Sequence, residues 1–561
     1  MQEGDKTMKV MVKFQQRGPF DEFEVSDGTT CADLLKTSER LLTGPQVVAA
    51  KVNNHVVELG TYLSEGDRVS FVDITSQHGS LIYQHSLSLV YLKAAEDVLG
   101  ECKVIIENAL NHGLYTTIKC GKPIDQHQLK AIGDRMRQLI AEDAPIIKYT
   151  MAKNDGMQVL EKDGMIEKMR LFSSLKDDDQ VTFYSLKGCR NFFYDIMVPS
   201  TGYVSQFDLR TYGKGIILVY PQPFMPLCLP PEVEQRKLYG AFGEQLIWDR
   251  ILGISYVADL NQQIEQGNWK QLIQVSEALH EKKVAEIADE IKKKHKRIIL
   301  IAGPSSSGKT TFAHRLMVQL RVNGMRPLYL GTDDYFVERE HTPLDENGEK
   351  DFESIKAIDV MMFNSHLNAL LNGEVVDLPR FDFLSGHKQF GERITSLETG
   401  QPIVIEGIHG LNEALTPYIS KEEKFKIYIS PLTQLNMDSH NRISTTDERM
   451  LRRMVRDNLF RGHDAKSTIK SWPMVRAGED SNIFPYSEEA DVLFNSYHVY
   501  EIAVLKKYAV PLLEKVTEDM EEYPEAQRML NFLKYFSVIP DDSEIVNNSI
   551  IREFIGGSVY N

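Results

Sequence analysis

Past residue 297 the chain alternates short apolar runs with longer segments whose apolar positions recur at helical spacing. The runs RIILIA, RPLYLG, QPIVIEG, KFKIYIS and ADVLFN have the length of buried strands. With helix-patterned segments between them, they predict an α/β unit with a mainly parallel sheet. The first 75 residues are patterned differently. MKVMVKF alternates in part, DGTT supplies a turn, and CADLLKTSERLL carries helical spacing through Leu34, Leu35, Leu41 and Leu42. VVAAKVNNHVVEL and DRVSFVDI follow as strands around polar turns.

From 76 to about 225 the pattern changes again. HSLSLVYLKAAEDVLG predicts a helix ending at Gly100, HQLKAIGDRMRQLIAED a second helix, and FFYDIMVPSTG and KGIILVYPQPF strand and turn. The proline-dense PQPFMPLCLPPEVE marks an exit from this unit. Residues 226–296 read as a helical connector, with WKQLIQVSEALHEKKVAEIADEIKKKHK its longest helix. Its basic tail, Lys292 to Arg297, reads as cations meeting the negative end of a helix dipole. The expected division is therefore 1–75, 76–225, 226–296, 297–515 and a helical extension, 516–561. A chain of 561 residues is too long for one core, so several domains follow from length as well.

Charge and cysteines narrow the setting. A net charge of −16 argues against wholesale nucleic-acid binding. Cys31, Cys102, Cys120, Cys189 and Cys228 form no CxxC pair, which fits reduced thiols in a cytoplasmic protein. MQEGDKTMKV lacks a signal pattern, and no run nears the roughly 18 apolar residues of a membrane span.

The chemistry sits at the first strand of the α/β unit. Gly303-Pro304-Ser305-Ser306-Ser307-Gly308-Lys309-Thr310 satisfies GxxxxGK[ST], with a buried-strand run before it and TTFAHRLMVQLRV, a helix beginning at Thr310 and Thr311, after it. Such a loop curls backbone N–H groups around phosphates at a helix N-terminus; Lys309 reaches the β- and γ-phosphates and the Thr310 hydroxyl can ligate Mg²⁺. Three further groups point to what happens next. RPLYLG ends in Thr332-Asp333-Asp334, at the strand end where ligands gather, so an Asp there can take a proton from an attacking hydroxyl or sit near the metal. QPIVIEG ends in Glu406, a second candidate for holding Mg²⁺. ERMLRRMVRDNLFRG places Arg449, Arg452, Arg453, Arg456 and Arg461 along one helix and its exit, predicting a lid over a triphosphate.

Together these residues resemble the uridine kinase and phosphoribulokinase family over roughly 297–515. GPSSSGKTT resembles the family's phosphate loop, TDDYF its QDSFY segment, PRFDF its YDF segment, EGIHGL its EGI segment and RRMVRDNLFRG its RRVLRD…RG lid. The resemblance implies ATP as phosphoryl donor with Mg²⁺, Asp333 as catalytic carboxylate with Asp334 as runner-up, and Asp333 near the metal with Thr310 and Glu406. It further implies Arg456 and Arg461 on phosphates, and Glu353, Phe381, Asp382, Arg453 and His463 toward the acceptor. The phosphate positions match while the acceptor positions drift: Phe381 replaces a tyrosine, Glu353 an aspartate and His463 an arginine. Phosphoryl transfer to a nucleoside or related small alcohol is thus implied, with the alcohol's identity left open.

The N-terminal half resembles a different enzyme. Residues 8–75 are similar to a TGS domain, a β-grasp module, and 76 to about 225 to the editing domain of threonyl-tRNA synthetases. That domain needs HxxxH with a further cysteine and histidine. Here His85 is followed at that spacing by Leu89, and Phe193 and Met197 stand at the remaining polar positions. A site built on several imidazole or thiolate groups cannot work with one, so this half reads as a scaffold. An ATP-responsive RNA- or ribosome-binding role is the alternative that this half supports.

Overall fold

The structure, a computed structural model, describes residues 7–14, 18–344, 348 and 350–560. The first six residues, part of the segment read as lacking a signal pattern, lie outside the described residues. Among the described residues, no helix is long and apolar enough to cross a membrane.

The N-terminal sheet has five strands in the order Asp21–Ser26, Thr7–Lys13, Arg68–Asp73, Val47–Val52, His55–Val57. Its first and last long strands pair in parallel at the centre, and hairpin partners flank them, which is a β-grasp arrangement. The single helix predicted over CADLLKTSERLL is two short ones, Cys31–Leu35 and Glu39–Thr43. The break has a local cause. The Thr37 hydroxyl donates to the Leu34 carbonyl at 2.7 Å, the acceptor that the Ser38 N–H would need, and Ser38 bonds Leu35 instead. Leu34 and Leu35 stay buried while Leu42 is left 58% exposed.

Next come the helix Gln77–Leu99, closed by Gly100 at φ 72°, and the helix Gln126–Ala141. They pack with a four-stranded sheet and a three-stranded sheet (Ile147–Ala152, Gln180–Leu186, Cys189–Phe192). Gln77–Leu99 is buried from Gly79 to Leu92 because the second sheet, the strand Val47–Val52 and neighbouring loops cover it on several sides. The strand predicted to run through FFYDIMVPSTG stops at Phe192, and residues 193–200 are irregular. Three helices, Arg236–Leu252, Val257–Glu265 and Trp269–Lys293, lead to the last sheet.

That sheet is five-stranded and wholly parallel, in the order Leu328–Gly331, Ile403–Glu406, Ile298–Ala302, Lys424–Ser430, Val492–Asn495. Its central strand, Ile298–Ala302, is 0% exposed throughout because helices cover both faces. With strand side chains alternating, Ile298 and Leu300 pack with Phe363 and Leu367, whereas Ile299 and Ile301 pack with Phe312 and Ile287. All five carboxyl ends therefore open on the same side, and the loops there build the site.

One connection leaves this unit. Residues 431–444, between the strand Lys424–Ser430 and the helix Thr445–Phe460, cross to the middle sheets as a strap. Ile106 N–H donates to the Ser439 carbonyl at 2.8 Å, Asn436 to the Glu107 carbonyl at 2.8 Å, and Asn441 to the Phe192 carbonyl at 3.0 Å. Beneath them Lys168 and Asp438 pair at 3.1 Å with side chains 1% and 0% exposed. The helix that carries the arginines thus begins from an anchor in the N-terminal half.

Candidate active site

The phosphate loop is shaped from behind. At Gly303 an added Cβ would lie 2.0 Å from the Ile429 carbonyl oxygen, so only glycine lets the loop leave the strand so close to its neighbour. Gly308 turns the chain into the helix Lys309–Val322 at φ 83°, a left-handed conformation that side chains resist. Arg452 donates to the Ser306 carbonyl at 3.1 Å and Ser496 to the Ser307 carbonyl at 2.7 Å, fixing the outer edge of the loop.

In front of the loop lies a cavity of about 650 Å³, lined by Ser305 through Thr310 and by Asp333, Glu353, Glu406, Arg453, Arg456 and Arg461. Lys309 Nζ donates to the carbonyls of Gly303 at 3.1 Å and Pro304 at 3.3 Å, partners that a phosphate can replace. The Thr310 hydroxyl donates to Glu406 Oε2 at 3.2 Å, and the Tyr329 hydroxyl to the same oxygen at 2.9 Å. A hydroxyl and one or two carboxylates, all oxygen donors beside a phosphate site, fit a hard cation that takes its remaining ligands from water and phosphate, as Mg²⁺ does. Gly303, Pro304 and Thr311 are buried at the base of the loop and do not line the cavity.

Asp333 lies in the one-turn helix Thr332–Tyr335, directly after its strand. It is open on its cavity side and hemmed in by protein on the others. Burial, then the nearby Glu406 charge, pushes its carboxyl up to about 6, with Lys309 pulling the other way. Asp334, the runner-up, is instead paired with Arg393 at 2.6 Å and does not line the cavity. Glu353 is likewise raised, chiefly by burial. Arg453 donates to the Ser305 hydroxyl at 2.9 Å, tying the arginine helix to the loop.

Four sequence expectations are corrected by these positions. Arg449 and Arg452 are not lid residues: they are 1% and 0% exposed, Arg449 bound bidentately to Glu479 at 2.5 and 2.6 Å and Arg452 to Glu501. Helical spacing puts Arg449, Arg453 and Arg456 on one face, but the first turn of that face is under the Ala465–Asn482 helix. Phe381 is 4% exposed and packs edge-on against Phe336 and Phe383, away from the cavity wall. Asp382 caps its own hairpin, accepting from the Leu384 N–H at 2.9 Å. His463 is exposed on the turn after the arginine helix, its N–H donating to the Asp457 carbonyl at 3.1 Å.

Two residues that pattern reasoning missed also line the cavity. Glu479 accepts from the Ser305 N–H at 2.9 Å, and Glu553 accepts from the hydroxyl and N–H of Thr311 at 2.7 and 3.3 Å. Burial opposes ionising Glu479, but Arg449 and Arg476 outweigh it and hold the carboxyl below its ordinary value. Nothing in the local sequence around either glutamate marks it, since each reaches the loop only through the tertiary fold.

A sequence model of the Phosphoribulokinase / Uridine kinase family matches residues 298–503, and a ThiS family model matches 14–76. The chain is 30% identical over 199 residues to a uridine kinase of Chloroflexus aggregans, covering 35% of this chain and 85% of that one. A uridine kinase of Staphylococcus haemolyticus is also 30% identical, over 198 residues, 35% of this chain and 86% of its own. The chain belongs to the phosphoribulokinase/uridine kinase family. Its N-terminal part has other relatives: a threonine–tRNA ligase of Caldanaerobacter subterraneus subsp. tengcongensis is 25% identical over 217 residues, 37% of this chain and 32% of the ligase. The chain thus spans about a third of the length of that ligase.

Proposed function

We propose that this protein is an ATP- and Mg²⁺-dependent phosphotransferase that moves the γ-phosphoryl group to a hydroxyl of a nucleoside or related small alcohol. The observation that carries this reading is Asp333, a carboxylate raised to about 6 and open to the same cavity as the phosphate loop. A base poised near the working pH is the group needed to accept a hydroxyl proton. The cavity of about 650 Å³ beside it leaves room for a second substrate as well as the nucleotide's phosphates.

In this reading Lys309 exchanges its two carbonyl partners for the β- and γ-phosphates. Thr310 and Glu406, with Asp333 nearby, hold Mg²⁺, which when bound offsets the charge of the phosphates. Asp333 takes the proton as the acceptor oxygen bonds to phosphorus and the bond to the β–γ bridging oxygen breaks, releasing ADP. Arg453, Arg456 and Arg461 line the same space and offset charge on the transferring group. Glu353 lines the same cavity, where its carboxylate can bond a second hydroxyl of the acceptor.

The test is a screen of the purified chain with ATP and Mg²⁺ against nucleosides, sugars and vitamin alcohols. ADP release that rises severalfold with one acceptor class, together with a phosphorylated product, supports the reading. Release that is the same with every compound as with water overturns it.

A further inference from the structure

Two carboxylates occupy amides at opposite ends of the phosphate loop, and they differ in charge balance. Glu479 is neutralised: Arg449 binds both its oxygens and Arg476 donates to it at 3.0 Å. Glu553 takes the Thr311 hydroxyl at 2.7 Å and N–H at 3.3 Å and, among the described residues, forms no ion pair. It lines a cavity suited to phosphates with no contact ion pair to neutralise it, although Arg452 and Arg461 lie near enough to feel its charge.

The backbone beneath Glu553 is held in place. Ile550 and Phe554 are 0% exposed in one cluster with Phe312 and Leu316 of the loop helix. An atom added at Gly308 would meet Ile550 Cγ2 at 2.4 Å. Ser549 donates to the buried Glu277, anchoring the segment a few residues earlier. With the backbone packed, an exchange at Thr311 falls to the Glu553 side chain, and Arg461 is near enough to feel its charge. This segment lies beyond residues 298–503, the part matched by the family model.

Thr311 stands in the first turn of the loop helix, whose N–H groups receive the α- and β-phosphates in a loop of this kind. A carboxylate and a phosphate oxygen cannot share one N–H without strong like-charge repulsion. We propose that Glu553 is a built-in competitor of the nucleotide's α-phosphate, setting nucleotide affinity from the C-terminal segment. The proposal rests on the phosphotransferase reading above. Binding exchanges the carboxylate for phosphate on Thr311, so affinity is weaker than the loop alone would give.

The test is calorimetric titration of the full chain with MgADP, comparing wild type, Glu553→Gln and Glu553→Ala. Glu553→Gln keeps the shape and removes the charge, so its Kd is expected to fall about tenfold at low ionic strength, with the gap narrowing as salt screens the repulsion. Glu553→Ala frees Thr311 entirely and should bind at least as tightly as Glu553→Gln. The KM for nucleotide should fall in step, with kcat changing less. A merely structural glutamate would give the opposite, weaker binding and a lower Tm. Glu553→Gln binding that is equal to wild type within twofold, or weaker, at unchanged Tm overturns the role of Glu553 alone. No MgADP binding by any of the three proteins overturns this role and the phosphotransferase reading together.

Discussion

The cavity at the parallel sheet and the cleft beside His85 are linked by the strap, which walls the second and leads into the helix that lines the first, and they are kept in opposite ways. In the first, about 650 Å³ is lined by charged groups of both signs, the arginines and Lys309 with Asp333, Glu353 and Glu406, which are costly to strip of water. In the second, aromatic rings sit 5.6 Å (Phe193) and 5.0 Å (Tyr194) from the imidazole, and the space left is about 10 Å³, room for one water. Burial pushes His85 down to about 4 and its Nδ1 has no hydrogen-bond partner. Part of that cleft's wall, His440 and Arg442, belongs to the strap. Charged walls hold water and keep a cavity usable, whereas rings in their place close it.

The largest expected effect is at the open cavity. Asp333→Asn removes the proposed proton acceptor and keeps the shape, so kcat should fall by about 10³-fold, with the Kd for MgADP changing less than about threefold. Single-turnover kinetics with calorimetry on the same preparation checks both numbers. Turnover near the wild-type rate would remove Asp333 from the mechanism.

The strap comes second. Lys168 and Asp438 are buried together, and Lys168 also donates to Asn191 at 2.6 Å. Asp438→Ala leaves a buried ammonium without its counter-charge, a loss of about 3 kcal/mol. The strap also sets where the arginine helix begins, so activity should drop with stability. The double variant Lys168→Met/Asp438→Asn, which keeps an acceptor for the His440 and Asn441 N–H groups at 2.8 and 3.1 Å, should regain most of the lost Tm in thermal melts. If the single and double variants melt alike, the buried pair does not hold the strap.

Much of this was legible in the sequence, and the failures share a cause. Strand runs and the glycine-rich loop are local patterns, so the sheet and the positions of Lys309, Thr310, Asp333 and Glu406 follow from short stretches of residues. Arg449 and Arg453, both in the helix Thr445–Phe460, look alike by spacing; only the Ala465–Asn482 helix packed over the first turn makes Arg449 a buried brace. Phe381 sits in a cluster of rings from three segments, which its own neighbours in sequence do not reveal. Glu553 comes from the far end of the chain. Residues that act where their own element ends were readable, and those placed by a distant element were not.

The pH dependence of turnover sharpens the comparison at a smaller scale. With Asp333 raised to about 6, the ionised base falls about tenfold between pH 7 and 5, and kcat/KM should follow with a single-proton slope. The stability effect has the opposite sense to an ordinary salt-bridged aspartate. The folded carboxyl binds its proton more tightly than the unfolded one, so this group's contribution is greatest at low pH and is lost as pH rises through about 4 to 6. Asp333→Asn should therefore flatten the Tm-versus-pH curve across that window while abolishing turnover. An acid limb of kcat/KM centred near an ordinary carboxylate value of about 4 would show that the cavity does not tune this group.

The smallest effect belongs to the closed cleft. His85→Leu exchanges a buried, neutral imidazole for a side chain that suits its aromatic neighbours, so turnover should change less than about 1.5-fold and Tm at pH 7.5 should move by only about a degree or two. Its pH signature is distinct. His85 is pushed down to about 4 when folded, so the unfolded chain binds the extra proton between about 6.5 and 4, and stability is lost as pH falls through that range. Removing the imidazole removes this loss, and the Tm of the variant should gain on wild type as pH drops from 7 toward 5. His78 and Asp195, paired at 3.0 Å beside it, remain in both proteins, and their opposite pulls on His85 are each smaller than that of burial. Parallel curves would mean that His85 keeps its proton when folded, which a polar cleft open to solvent would allow and a cleft closed by rings would not.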